Sequence, residues 1–297
     1  MKRDFLTILD LTHKECDQIL NRAIDIKGSI NNATTPLRGK TIGLLFEKSS
    51  TRTRVSFEAG VYQLGGLPIY LNPSDTQLGR GETIADTARV LSRYLNGIVI
   101  RTYEHARLTE FTDNAAIPVI NGLTNSHHPC QVLADLMTIK EKKGTLNGIK
   151  LTYVGDSNNV ANSIIEAAWL MDISLTIACP IGFEPDTGIL ERAKGADISI
   201  TDSPEDAVSG TDVIYTDVWV SMGDKMDAAE KKERFRRFQV NDKLLSFAKP
   251  DAIILHCLPA HRGEEITSSV LDGPNSVVFD QAENRLHTQK AILELLI

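Results

Sequence analysis

Cysteine is scarce in this chain, with four residues among 297: Cys16, Cys130, Cys179 and Cys257. They lie far apart and form no C-x-x-C pair, which argues against a disulfide framework and a structural zinc site and fits a reducing cytoplasm. Long apolar runs are missing too. None approaches the roughly 18 residues that span a bilayer, and Met1-Lys2-Arg3-Asp4-Phe5 lacks the apolar core of a signal peptide. Positive charge is in deficit, with 32 Lys and Arg against 39 Asp and Glu and a net charge of −7. Such an acidic chain is not expected to bind nucleic acid nonspecifically. Its arginines at 52, 54, 101 and 285 must therefore act as local sites. No internal repeat occurs at solenoid periods.

What is present reads as a globular chain, 42% hydrophobic and 24% charged, long enough for two domains. An amphipathic helix is expected over 12–28 and a loop over 29–40. Strand-like runs then follow at 41–46, 67–71, 97–101, 117–120, 149–154, 173–178, 212–216, 252–256 and 276–279. Helix-like segments lie between them, including 53–64, 129–141, 159–171, 263–267 and 281–296. This alternation predicts an α/β chain of two doubly wound parallel sheets with helices on both faces. The charged stretch Lys140-Glu141-Lys142-Lys143-Gly144 precedes a fresh strand, placing the domain boundary near 140–149. No long linker separates the halves, so a site shared by two docked domains is expected.

The strongest motif is Lys48-Ser49-Ser50-Thr51-Arg52-Thr53-Arg54, between a strand-like run and a helix. Backbone N–H groups and the helix dipole favour an anion there, and hydroxyls and guanidiniums add donors suited to phosphate. The same pattern also fits an N-cap with solvated arginines. His127-His128-Pro129-Cys130-Gln131 puts His128 at a helix N-terminus, where the dipole favours neutral imidazole that still donates one N–H. Val154-Gly155-Asp156-Ser157-Asn158-Asn159 occupies a strand-to-helix turn with one glycine, which disfavours a dinucleotide. Its asparagines suit a small polar substrate or an Asx turn. Asp217 follows a buried strand, placed to meet an amine or to cap a helix. Cys257, in His256-Cys257-Leu258-Pro259, could act in packing, metal binding or nucleophilic attack. Arg285 near the start of the last helix is unfavourable without an anion, although it could be solvated.

Together these stretches resemble the aspartate/ornithine carbamoyltransferase family, and its ornithine branch in particular. Ser50 to Arg54 match its carbamoyl-phosphate signature and His128 to Gln131 its H-P-x-Q element. Asp217 to Gly223 match the D-x-W-x-S-M-G loop, and His256 to Pro259 the H-C-L-P turn, whose Leu-Pro bond is cis in the family. The resemblance implies a first domain over 1–143 that binds carbamoyl phosphate, with 281–297 packing back on it, and an ornithine domain over 144–280. It implies transfer of the carbamoyl group to the δ-amine of ornithine, giving citrulline and phosphate by direct attack, with no covalent intermediate, cofactor or metal. Ser50, Thr51, Arg52 and Thr53 would hold the phosphate, with Arg285. Arg101 would bind phosphate and the carbonyl oxygen, His128 would also polarise that carbonyl, and Gln131 would take the amide. Asn159, Asp217, Ser221 and Met222 would bind the amino-acid end of ornithine. Cys257 and Leu258 would orient the δ-amine and, like Gln77, also belong to the carbamoyl-phosphate-binding set. The catalytic set is then Arg101, His128, Asp217 and Cys257. A homotrimer is implied, with Gln77 reaching a neighbouring site, and a place in arginine biosynthesis or ornithine catabolism.

The aspartate branch uses a lysine in its binding loop, whereas residues 72–82 hold Gln77 and Arg80 but no lysine. The D-x-W-x-S-M-G loop argues against the N-acetylornithine and putrescine enzymes. Gly223-Asp224-Lys225 departs from the glutamine or glutamate pair common after that glycine. A noncatalytic protein of the same fold should have lost chemistry residues, yet the whole set is present.

Overall fold

The computed structural model describes residues 2–28, 34–72, 77, 81–220 and 226–297. The chain divides into two compact units, residues 1–137 with 283–297, and residues 138–282. Among the described residues, no helix is long and apolar enough to cross a membrane.

The first unit carries a four-stranded sheet: β1 (Thr41–Phe46), β2 (Leu67–Leu71), β3 (Gly97–Arg101) and β4 (Val119–Leu123). Their order is β2-β1-β3-β4 and every pairing is parallel. Parallel pairing needs crossovers, and helices supply them. These are α2 (Thr51–Gln63), α3 (Ile84–Leu91) and α4 (His105–Asn114), after an opening α1 (His13–Gly28). The strands β3 and β4 are buried along their whole length, as expected when helices cover both faces. The edge strand β2 is only partly buried. Leu45, Ile98, Ile100, Leu108, Phe111 and Val119 form a core cluster beside the sheet.

The second unit carries β5 (Lys150–Val154), β6 (Ser174–Ala178), β7 (Ile198–Thr201), β8 (Val213–Thr216) and β9 (Ile253–His256). Their order is β7-β6-β5-β8-β9, again all parallel. The order reverses beside β5, the place where doubly wound sheets hold ligands. The chain division falls near the middle of α5 (Pro129–Lys143). The helices of the second unit are α6 (Asn159–Leu170), α7 (Thr187–Arg192), α8 (Pro204–Val208), α9 (Ala228–Phe235), α10 (Asp242–Leu245) and α11 (Ser268–Leu271). The last helix, α12 (Val278–Leu296), belongs to the first unit from Glu283 onward. There Arg22 pairs with Glu294 at 2.6 Å and Lys27 donates to Asn284 at 2.8 Å.

Three local expectations fail. The run 276–279 makes a single bridge, Ser276 to Ile254. Once Val277 N–H has bonded the Ile254 carbonyl, the chain turns into α12, with Gln281 N–H on the Val277 carbonyl. The segment 263–267 is not a helix. Residues 263–265 form a tight turn, with Glu264 N–H on the His261 carbonyl and Gly263 N–H on the Ile266 carbonyl, after which Ile266 bridges Val240 and Arg262. The strand β7 was not anticipated because Ile198-Ser199-Ile200-Thr201 is a short, half-exposed edge without a continuous apolar run.

Candidate active site

Every residue of interest sits at or just beyond the carboxyl end of a strand, apart from those on α5 and α12. After β1 the chain turns at Glu47 to Ser50 and enters α2. Ser50 caps that helix, its Oγ accepting from Thr53 N–H at 3.2 Å. The N-cap reading is thus correct for Ser50, and the first turn still presents backbone donors to an anion. Thr53 is fully buried, Arg52 is half-buried and Thr51 is exposed. Arg101 ends β3 at the irregularity between Ile100 and Arg101, and is buried.

Arg285 is buried on α12 and ties these pieces together. It donates from Nη1 to Gln131 Oε1 at 2.9 Å and from Nη2 to the Thr53 hydroxyl. Gln131 in turn donates to Asp135 at 2.8 Å. Each end of the Gln131 amide keeps one further bonding position. Arg285 is therefore not a solvated surface arginine. It is built into the pocket from a distance of over 150 residues in sequence.

His128 immediately precedes α5 and is 4% exposed. Burial pushes its imidazole well below the ordinary value, and the charges of Arg285, Arg101, Arg52 and Lys48 push it the same way. The ring is neutral at neutral pH and can donate one N–H. Lys48, given no role from sequence, is buried as well, and burial and Arg101 lower its pKa. Among the described residues its ammonium meets only the Tyr103 ring, 5.5 Å from the centroid. Four cations thus bear on one neutral histidine beside a helix N-terminus. Burying so much positive charge is costly unless an anion completes the arrangement.

The second unit gathers a different chemistry. The register pairs Thr216 of β8 with His256 of β9, so the next residues, Asp217 and Cys257, emerge side by side. Cys257 Sγ donates to Asp217 Oδ1 at 2.9 Å, and Val218 N–H donates to the same oxygen at 2.8 Å. Asn158 Nδ2 donates to Asp217 Oδ2 at 2.7 Å. The other end of that amide, Oδ1, caps α6 through Val160 and Ala161 N–H. The Asx reading is therefore right for Asn158, and its link to Asp217 was not foreseen. Gly155 holds φ +147 at this turn, a conformation that favours glycine. Asn159 begins α6, half-buried. Nearby, Lys231 is buried and pairs with Asp156 at 2.7 Å.

The Leu258-Pro259 bond is cis, as the resemblance implied, and Leu258 N–H is engaged by His256 Nδ1 at 2.9 Å. Ligand atoms of Asp217, His256 and Cys257 lie within 4.8 Å of one another, a set able to take a metal ion. Both ring nitrogens of His256 are committed to hydrogen bonds, to Leu258 N–H and to Glu265, so a metal would have to displace one. Gln77 is exposed. Ser221 and Met222 lie outside the described residues.

Residues 3–141 match the family described as aspartate/ornithine carbamoyltransferase, carbamoyl-P binding domain, and residues 147–296 match its Asp/Orn binding domain. An ornithine carbamoyltransferase of Syntrophus aciditrophicus is 57% identical over the full length of both chains. The solved ornithine carbamoyltransferase of Pyrococcus furiosus is 51% identical with a TM-score of 0.95, covering 99% of this chain and 96% of that one. The anabolic enzyme of Campylobacter jejuni is 39% identical with a TM-score of 0.94, covering 100% and 99%.

Proposed function

The chain belongs to the aspartate/ornithine carbamoyltransferase family, and from that premise we propose how its residues share the work. The reaction is transfer of the carbamoyl group of carbamoyl phosphate to the δ-amine of ornithine, giving citrulline and phosphate. The single observation that carries the assignment of residues is the buried Arg285, which joins Thr53 in the first turn of α2 to Gln131 in the first turn of α5, beside the buried His128.

In this reading the first unit is the carbamoyl-phosphate domain. Ser50, Thr51, Arg52, Thr53 and Arg285 hold the phosphate at the α2 N-terminus, and Lys48 adds a further cation. Arg101 and the N–H of neutral His128 stabilise charge developing on the carbonyl oxygen, and Gln131 takes the carbamoyl amide through its second lone pair. Arg285, Gln131 and Thr53 are already tied to one another by hydrogen bonds, and donors held in place in this way make such stabilisation effective. The second unit is the ornithine domain. Asp217 receives an amine, Asn158 holds Asp217 in place, and Asn159, Ser221 and Met222 bind the amino-acid end. Cys257 and Leu258 orient the δ-amine and lie beside carbamoyl phosphate. That amine must first lose a proton, from a pKa near lysine's, about 10.4. It then attacks the carbamoyl carbon directly. The new C–N bond replaces the C–O bond to phosphate, so no enzyme nucleophile is needed.

We assign the protein to a homotrimer in which Gln77 reaches a neighbouring site. The exposed apolar side chains Val55, Tyr62 and Leu67 of the first unit support contact between copies. Four cysteines outside any disulfide support a cytoplasmic setting, and citrulline formation suits arginine biosynthesis. The test is a panel of ornithine, aspartate, putrescine and N-acetylornithine with carbamoyl phosphate. Product from ornithine alone is expected, and preference for another amine would overturn the assignment.

A further inference from the structure

Behind Cys257 lies a buried carboxylate that the reaction itself does not use. Glu265 and His256 have side chains with 0% exposure, and Glu265 Oε1 lies 3.0 Å from His256 Nε2. The opposite ring nitrogen, Nδ1, accepts from Leu258 N–H at 2.9 Å. An acceptor nitrogen cannot carry a hydrogen, so the proton sits on Nε2 and points at Glu265. Glu265 Oε1 also accepts from His261 N–H, closing the turn from behind. The backbone of Glu265 is anchored through its carbonyl to Val240 N–H at 2.8 Å, inside the core of the second unit.

The turn needs such support. Leu258 holds φ +57, a region that side chains other than glycine rarely enter unless their surroundings fix them. Glu265 is also an expensive residue to bury. Its Oε2 has no hydrogen-bond partner among the described residues, and no cation pairs with it there. Its neighbour Glu264, by contrast, makes an ordinary half-exposed ion pair with Lys232.

We propose that Glu265 is a positioning residue: through His256 it fixes the Leu258 amide and thereby the direction of the Cys257 thiol toward Asp217. The proposal rests on the ornithine role given above to Cys257 and Asp217. Glu265 touches no substrate.

The experiment compares Glu265→Leu with Glu265→Gln, whose amide oxygen can still accept from His256. Two readouts are taken: KM and kcat for each substrate, and the rate at which iodoacetamide alkylates Cys257. That rate reads one thiol, because Cys16, Cys130 and Cys179 are buried. Glu265→Leu is expected to lose about 30-fold in kcat/KM for ornithine, the range for a hydrogen bond to a charged group. KM for carbamoyl phosphate should change far less than that for ornithine, and the alkylation rate should change. Glu265→Gln should restore both. If Glu265→Leu does not fold, His256→Gln, which keeps a donor for Glu265 but loses the acceptor for Leu258, should show the same ornithine-specific defect. A folded variant with unchanged ornithine kinetics and thiol rate would overturn the proposal, as would equal losses for both substrates. Failure of the wild-type protein to form citrulline would instead overturn the assigned reaction, and the alkylation rates would still test the positioning.

Discussion

Asp217 and Cys257 are 40 positions apart in sequence, yet the thiol of Cys257 donates to Oδ1 of Asp217 at 2.9 Å. The parallel register of β8 and β9 produces this contact, because it aligns Thr216 with His256 one residue earlier. Removing the thiol tests what the pairing does. Cys257→Ala should raise KM for ornithine about 10-fold, equivalent to ~1.4 kcal/mol, while KM for carbamoyl phosphate changes far less. Steady-state citrulline formation measures both.

Lys48 should behave as a substrate ligand. Lys48→Met keeps the apolar stem and removes a buried cation that has no anionic partner among the described residues. We expect KM for carbamoyl phosphate to rise about 10-fold and thermal stability to hold or increase, since an unpaired buried charge is costly without ligand. A melting curve and substrate titration read the two effects. Lower stability with unchanged KM would remove Lys48 from the site.

His128 gives stability a definite dependence on pH. Its folded-state pKa lies well below the ordinary value, first through burial and then through Arg285, Arg101, Arg52 and Lys48. In the unfolded chain it titrates near about 6.5. Between the two values only the unfolded chain binds the proton, so its contribution is intact above about pH 6.5 and is lost as pH falls toward the folded value. Over that window the wild-type protein should lose up to about 1.4 kcal/mol per pH unit more than His128→Gln. Urea unfolding across the same range measures the slopes, which should be parallel if the ring titrates normally.

Lys231 and Asp156 form a pair of another kind. Both are largely buried, with side-chain exposures of 4% and 15%, and Lys231 also lies 5.8 Å from the Phe183 ring centroid. Lys231→Met would leave Asp156 without this partner, and breaking such a pair costs about 3 kcal/mol. Denaturant unfolding should show that loss, and a neutral result would mean the pair contributes no net stability.

Much of this arrangement was legible in the sequence, for physical reasons. Central parallel strands are buried on both faces and leave continuous apolar runs, so β1, β3, β5 and β8 stood out. A short edge strand such as β7 leaves no such run. The run at 276–279 looked like a strand, but its environment let only Ser276 pair before α12 began. Most site motifs were visible because they follow a strand end, whereas the Arg285 motif lies inside α12. Lys48 was equally visible as a residue, yet its burial and its place over the Tyr103 ring arise from parts of the chain distant in sequence. Likewise Asn158 looked like a ligand or a cap. Its second bond, to Asp217, depends on β5 and β8 being neighbours, which spacing along the chain does not reveal.

The most direct test uses phosphonoacetamide, in which a methylene replaces the bridging oxygen of carbamoyl phosphate. Its dissociation constant is measured by calorimetry for the wild-type protein, Arg52→Ala and Asp217→Asn. Arg52→Ala should weaken binding about 100-fold, equivalent to ~2.7 kcal/mol, and Asp217→Asn should leave it unchanged. Unchanged binding in Arg52→Ala, or an equal loss in Asp217→Asn, would contradict the assignment of phosphate to one unit and amine to the other.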